Sequence, residues 1–177
     1  MPPTRLDHSF YLQDVLVVAP DLLGKSLVRN WPDGKVSRHI ITETEAYRGF
    51  EDKACHASKG KTARTEVMFK TGGHLYMYLI YGMHWMLNIV TADADVPQAV
   101  LIRSINDFQG PGRLTRGLAL DRTFNGMDLI DSHEIWIEDT GATCALKSGP
   151  RVGIDYAGDF WKNRPWRFWT DDFQLGR

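Results

Sequence analysis

Cysteine is scarce. Only Cys55 and Cys144 occur in 177 residues, and neither has a partner at ligand-like spacing. That excludes a disulfide scaffold and a cysteine-rich zinc site, and it fits a reducing compartment. No apolar run is long enough to span a bilayer. The opening MPPTRLDHSF lacks the long apolar core of a signal peptide, so a soluble, cytoplasmic protein is expected. Excess positive charge is missing as well: the formal net charge is −1. Affinity for a polyanion would have to come from a local patch. There is no HExxH, no His-x-His pair, no GxxxxGK[ST], no GxGxxG and no Gly-x-Ser-x-Gly. The familiar zinc-hydrolase, nucleotide-binding and serine-hydrolase readings lose their support. Internal repeats, low-complexity tracts and linkers are absent too.

With 43% hydrophobic and 24% charged residues, the chain is built to fold around a core. Its length suits one domain covering residues 1–177. Asp14 is a plausible N-cap and Gly24 a plausible stop for a helix that would bury Val15, Ala19, Leu22 and Leu23, with Pro20 kinking or splitting it. KSLVRNWPDGKVSRHIITETEAY reads as a hairpin about a PDG turn. HLYMYLIYGMHWMLNIV reads as a second hairpin turning near Gly82. QAVLIRSI and HEIWIED read as further short strands, GPGRLTRGLAL as a glycine-rich loop entering a helix, and FNGMDL as an Asn-Gly turn. The pattern predicts an α+β fold: a curved antiparallel sheet with a protruding hairpin and short flanking helices.

Chemistry enters with IITETEAY. On a regular strand Ile41, Glu43, Glu45 and Tyr47 share a face. Two carboxylates side by side are costly unless exposed, paired or used. They suit either a solvated salt-bridged face, with Arg103 as a partner, or a water-activating base with a supporting acid. Glu45, Glu51, Asp52 and His56 can be drawn as a metal set, but their spacing is not that of a known ligand motif, and His56 is better placed as a hydrogen-bonding group. Tyr76 and Tyr78 fit cross-strand packing. Tyr81, beside Gly82 at a hairpin tip, suits either stacking into nucleic acid or packing back on its own loop. GPGRL is no more than a turn before a helix, or a phosphate-holding loop with Arg113 and Arg116.

Seven separated stretches, in order from about residue 10 to 168, resemble the alkyladenine (3-methyladenine) DNA glycosylases. They are LLGKSLVR, ITETEAYRG.EDKACH, T.R...MF, LYMYLIYGMHWMLNIV, VLIRS, GPGRLT..L and RVGIDYAGDF. The TETEAY block together with YxxYGMxxxxN is the specific part. The resemblance implies that Glu45 activates a water, with Glu43 as a supporting acid. It implies that Tyr47, His56 and Tyr78 line a pocket for a flipped purine. Asn88 would sit at the pocket floor and clash with the amino group of a normal guanine. Tyr81 would fill the gap left in the duplex, and Arg103 would help hold the water and the flipped nucleotide's phosphate. No lysine stands at the matched pocket positions, which implies simple hydrolysis to an abasic site, with no metal and no organic cofactor.

The implied partner is double-stranded DNA carrying damaged purines: 3-methyladenine, 7-methylguanine, hypoxanthine or ethenoadenine. The expected state is a monomer, nucleoid-associated in a bacterium or nuclear in a eukaryote. Clustered bases at Lys59, Lys61, Arg64, Arg113, Arg116, Lys162 and Arg164 are the candidates for phosphate contacts. A non-catalytic nucleic-acid-binding module on the same fold is the rival reading, and a metal-dependent hydrolase a distant third. His84, Trp85 and the tail WTDDFQLGR carry no assigned role.

Overall fold

The computed structural model describes residues 3–174. In chain order the strands are β1 (Thr4–Arg5), β2 (Ser26–Asn30), β3 (Val36–Tyr47), β4 (Leu75–Ile80), β5 (His84–Thr91), β6 (Gln98–Ile105), β7 (Phe108–Gln109), β8 (Ile135–Asp139), β9 (Thr143–Cys144), β10 (Lys147–Gly149), β11 (Arg167–Trp169) and β12 (Phe173–Gln174). The helices are α1 (His8–Tyr11), α2 (Val15–Asp21), α3 (Pro111–Gly117) and α4 (Asp159–Lys162), joined by short 3₁₀ turns such as His56–Lys59 and Glu66–Phe69. Ten strands form one antiparallel sheet in the order β1-β8-β2-β3-β6-β5-β4, and β7, β10 and β11 join at its margins. The α+β architecture expected from the sequence is present.

Both hairpins form where the turn chemistry places them. Gly34 adopts a positive φ after Pro32-Asp33, and its N–H returns to the Trp31 carbonyl. Asp14 caps α2 by accepting the Leu16 N–H at 2.9 Å. Pro20 lies in the last turn, and α2 ends one residue later at Asp21. That is the stop expected of a residue that cannot donate to the helical ladder.

The sheet separates two faces by simple alternation. Leu75 and Met77 of β4, Leu87 and Ile89 of β5, and Val100 and Ile102 of β6 enter the main core. Val15, Val18, Ala19 and Leu22 of the α2 region and Leu114 of α3 cover them. Their alternates Tyr76, Tyr78, Met86, Asn88, Ala99, Leu101 and Arg103 line a cavity on the opposite face. Segment 48–73 roofs that face. It carries many lysines, yet it buries Cys55, Ala57, Val67, Met68 and Phe69 in a second small cluster.

The strand β3 departs from strict alternation. Its register slips between Ile41 and Glu43 and again between Glu43 and Thr44. Ile41 therefore joins the main core with Ala46, and Thr44 points the same way, its hydroxyl donating to the Ala19 carbonyl at 2.8 Å. The shared face predicted for Ile41, Glu43, Glu45 and Tyr47 is thus corrected: the bulge removes Ile41 from it. A bulge re-aims the side chains that follow it, and here those are the two glutamates and Tyr47.

Candidate active site

Three strands bring the polar centre together. β3 supplies Glu43, Glu45 and Tyr47. Its neighbour β6 places Leu101 opposite Glu45 and Ser104 opposite Glu43. On the other edge β11 places Arg167 opposite Glu45 and Trp169 opposite Glu43. Arg103 reaches both acids: its Nε lies 3.2 Å from Glu43 and a terminal nitrogen 3.5 Å from Glu45. Glu43 also accepts from Arg167 at 3.1 Å and from the Ser104 hydroxyl at 3.1 Å. It is a carboxylate fully occupied in holding two arginines.

Glu45 is different. It is completely buried, with 0% of its surface exposed. One carboxylate oxygen accepts the Val152 backbone N–H at 2.7 Å and the other accepts the Tyr47 hydroxyl at 2.8 Å. Burial raises its pKa above the ordinary carboxylate value; Arg103, the Val152 N–H and the Tyr47 O–H oppose that rise, while Glu43 adds to it. A carboxylate this deep, with two hydrogen-bond donors and one arginine charge on it, is a proton acceptor whose affinity has been pushed up.

Glu45 stands on a cavity of about 820 Å³. The cavity's walls are largely aromatic. The rings of His56 and Tyr78 are 4.6 Å apart and those of Tyr76 and Tyr78 5.5 Å apart. The Tyr76 hydroxyl lies 3.1 Å from His56 Nδ1. Burial, and secondarily the Arg64 charge, push His56 down to about 4, so the imidazole is neutral at physiological pH. Burial pushes the Tyr47, Tyr76 and Tyr78 hydroxyls upward, Tyr76 to about 12, and all three keep their protons. Asn88 is buried in the cavity lining, its amide donating to the Tyr76 carbonyl at 3.2 Å.

The cavity therefore gathers Glu45, Tyr47, His56, Tyr78, Asn88 and Arg103, residues scattered over 59 sequence positions. Tyr81 stands at its edge on the β4–β5 turn and is 86% exposed. Both Tyr81 and Gly82 have positive φ, at 52° and 66°, and the Met83 N–H closes the turn on the Ile80 carbonyl. Such a turn lets β4 and β5 continue their natural twist and lifts the phenol clear of the sheet. Arg64 and Arg113 also line the cavity, and Arg64 lies over the Tyr78 ring at 5.5 Å.

The remaining cations lie elsewhere. Lys59, Lys61 and Arg116 are exposed but off the cavity lining. Lys162 pairs with Asp155, and Arg164 lies 4.0 Å over the Phe160 ring, so both are engaged within the protein. The notional metal set does not converge. Asp52 is bound to Arg151 and Glu51 to Arg48, and no group of three or more His, Cys, Asp or Glu gathers among the described residues.

Four features escaped the sequence. The Val152 N–H, the β11 strand bearing Arg167, the Tyr156 wall and the buried Arg151–Asp52 pair all come from or involve the tail segment 150–169. A backbone donor leaves no side-chain signature, and β11 is only three residues long. A lone arginine in PRVGI, too apolar a setting for a solvated charge, was the available hint.

A family model described as methylpurine-DNA glycosylase (MPG) matches residues 9–109 and 106–174. The chain belongs to this family. By membership in the methylpurine-DNA glycosylase family it is a DNA glycosylase, a hydrolase of N-glycosyl bonds acting in DNA repair. Similar proteins carry the provisional name 3-methyladenine DNA glycosylase. One from Methanocella arvoryzae is 45% identical, with 93% of this chain and 91% of the relative covered. One from Borrelia garinii subsp. bavariensis is 43% identical, with 94% and 96% covered. A third, from Desulfitobacterium hafniense, is 41% identical, with 96% and 97% covered. The methylpurine-DNA glycosylase match spans both halves of the cavity, from β3 to the segment that delivers Val152.

Proposed function

We propose that this protein excises alkylated or deaminated purines from duplex DNA by simple hydrolysis, with Glu45 activating the water. The observation that carries the reading is Glu45 itself, buried without exposure at an aromatic cavity and held by two hydrogen-bond donors and the Arg103 charge. A binding module has no use for a buried carboxylate close to a phosphate backbone, because the charge is costly to desolvate and repels the ligand.

A base inside the duplex is out of reach, so the nucleotide must be extruded at a cost of a few kcal/mol. Tyr81 offsets that cost by stacking in the vacated space. The flipped base lies among Tyr47, His56 and Tyr78. A 3-methyladenine or 7-methylguanine base is cationic, so tyrosine faces attract it, and the neutral His56 does not repel it. Asn88 at the floor rejects the amino group of an undamaged guanine. As the glycosidic bond breaks, positive charge grows on the sugar. Glu45 faces that charge and accepts a proton from the attacking water, a contribution of typically ~10²–10⁴-fold. Arg103, tied to both glutamates, keeps the acid pair compact and presents its remaining donors toward a phosphate. No lysine lines the cavity, which supports hydrolysis over amine attack on the sugar.

The test is product analysis on a duplex bearing a single 3-methyladenine or hypoxanthine. The expected products are free base and an uncut strand containing an abasic site. Borohydride trapping of a covalent protein–DNA adduct, or strand cleavage at the lesion, would overturn the hydrolytic reading.

A further inference from the structure

Arg151 and Asp52 form a fully buried ion pair behind the cavity, and neither is itself a lining residue. The guanidinium binds the carboxylate through two nitrogens, at 2.5 and 2.9 Å, and neither side chain has any exposure. Separating a buried pair leaves an uncompensated charge in the interior, so each member is held tightly to the other. Here the attachments run in three directions, and each ends beside Glu45.

First, Arg151 precedes Val152, whose N–H is the backbone donor on Glu45. Second, Arg151 donates to the carbonyl of Ala46, the residue between Glu45 and Tyr47, at 2.9 Å. Third, its guanidinium lies 4.8 Å over the Tyr47 ring, with Trp166 on it at 5.0 Å. Asp52 fixes the other end by accepting the Arg48 and Ala54 N–H groups at 3.0 Å each. The pair therefore joins the end of β3, the roof segment and the tail loop at one point. Both hydrogen-bond donors that oppose the burial of Glu45, the Val152 N–H and the Tyr47 O–H, are carried by elements that Arg151 grips.

We propose that Arg151 and Asp52 are positioning residues that hold the Val152 N–H and the Tyr47 hydroxyl on Glu45 and so set the proton affinity of the catalytic carboxylate. This rests on the hydrolytic reading above. The other groups facing Glu45 are Arg103 from β6, Glu43 from β3 with Arg167 of β11 behind it, Tyr78 from β4 and Tyr156 from the tail loop. None of them hydrogen-bonds to Arg151 or Asp52 directly, although Tyr156 and Arg167 bond to the neighbouring carbonyls of Ala54 and Pro150. Loosening the pair removes donors and leaves burial and Glu43 in place, so Glu45 should hold its proton to higher pH.

The experiment is single-turnover base release at saturating enzyme, from pH 4.5 to 9, on duplex DNA with one alkylated purine. The proteins are wild type, Arg151→Lys, Asp52→Asn, Val152→Pro and Glu45→Gln, with folding checked by circular dichroism. Val152→Pro deletes the N–H at an exposed position, so it does not depend on the buried pair tolerating change. The acid limb is expected to move up by about 0.5–1 pH unit in Val152→Pro and in each folded pair variant. Slower release with an unmoved limb in Val152→Pro, or in a folded Arg151→Lys or Asp52→Asn enzyme, would overturn the proposal and leave the pair a purely structural prop. Undiminished release by Glu45→Gln would instead remove the hydrolytic reading on which it stands.

Discussion

At the residue scale, proton affinities decide what the site can do. Burial raises Glu45 from its ordinary value of 4.5, and a base works only when ionised. Activity should therefore fall on the acid side at a pH above the ordinary carboxylate range, a limb that a pH profile of single-turnover release would locate. Stability runs in the opposite direction. A carboxylate with a raised folded-state pKa binds its proton more tightly native than unfolded. Its contribution is greatest at low pH and is lost as pH rises from about 4.5 through the folded value. Glu45→Gln is accordingly expected to melt above wild type at pH 7.5, the trade of stability for function seen at many active sites. A lower melting temperature would show that Arg103 and the two hydrogen-bond donors outweigh the cost of burial.

His56, held neutral by a pKa pushed to about 4, is no acid at physiological pH, and the lining tyrosines keep their protons more tightly than usual. Cationic bases leave without protonation, whereas hypoxanthine needs it. Release of 3-methyladenine should exceed release of hypoxanthine by roughly 10²-fold or more, the ordinary worth of a general acid. Equal rates would mean that a group in the cavity supplies the proton.

At the element scale, the hairpins were the most legible part of the sequence. PDG and the glycine after Tyr81 each mark a turn, and strand parity puts Tyr76 and Tyr78 on one face, whereas the apolar run of QAVLIRSI, interrupted by Arg103, does not by itself say which face is core. The bulge in β3 was not legible. Nothing in IITETEAY marks where the register slips, so the parity of Ile41 came out wrong while that of Glu43, Glu45 and Tyr47 held. The tail was hidden for another reason. Its role lies in pairing β11 against β3 and in one backbone N–H, and long-range partners leave no local pattern. The β4–β5 turn carries its own prediction. Tyr81→Ala should shift the flipping equilibrium toward the stacked state by about 1–3 kcal/mol, the worth of one stacked ring, read as fluorescence of 2-aminopurine placed beside the lesion. An unchanged signal would mean that the phenol does not enter the duplex.

At the scale of the whole molecule, a net charge of −1 must coexist with a DNA substrate. The exposed cations Lys59, Lys61, Arg64, Arg113 and Arg116 are the proposed phosphate contacts. Each one engaged should add about −0.9 to the slope of log affinity against log salt. With Arg103 on the flipped nucleotide's phosphate as a sixth contact, the slope is expected to be no steeper than about −5.4, and to lessen by about 0.9 in Arg113→Gln. A slope unaffected by removing any of the five would place the DNA on another face. The sequence yielded the composition of this patch but not its layout. Lys162 pairs with Asp155, and Arg164, like Lys61 and Arg64, lies over an aromatic ring, arrangements that composition does not reveal.

The most direct measurement is base release and DNA binding side by side, in chelator, for wild type and Glu45→Gln on alkylated duplex DNA. The account predicts equal binding, release by wild type and a loss of about 10²-fold or more in the variant. Full release by Glu45→Gln would contradict it and leave the buried carboxylate without a role in the chemistry.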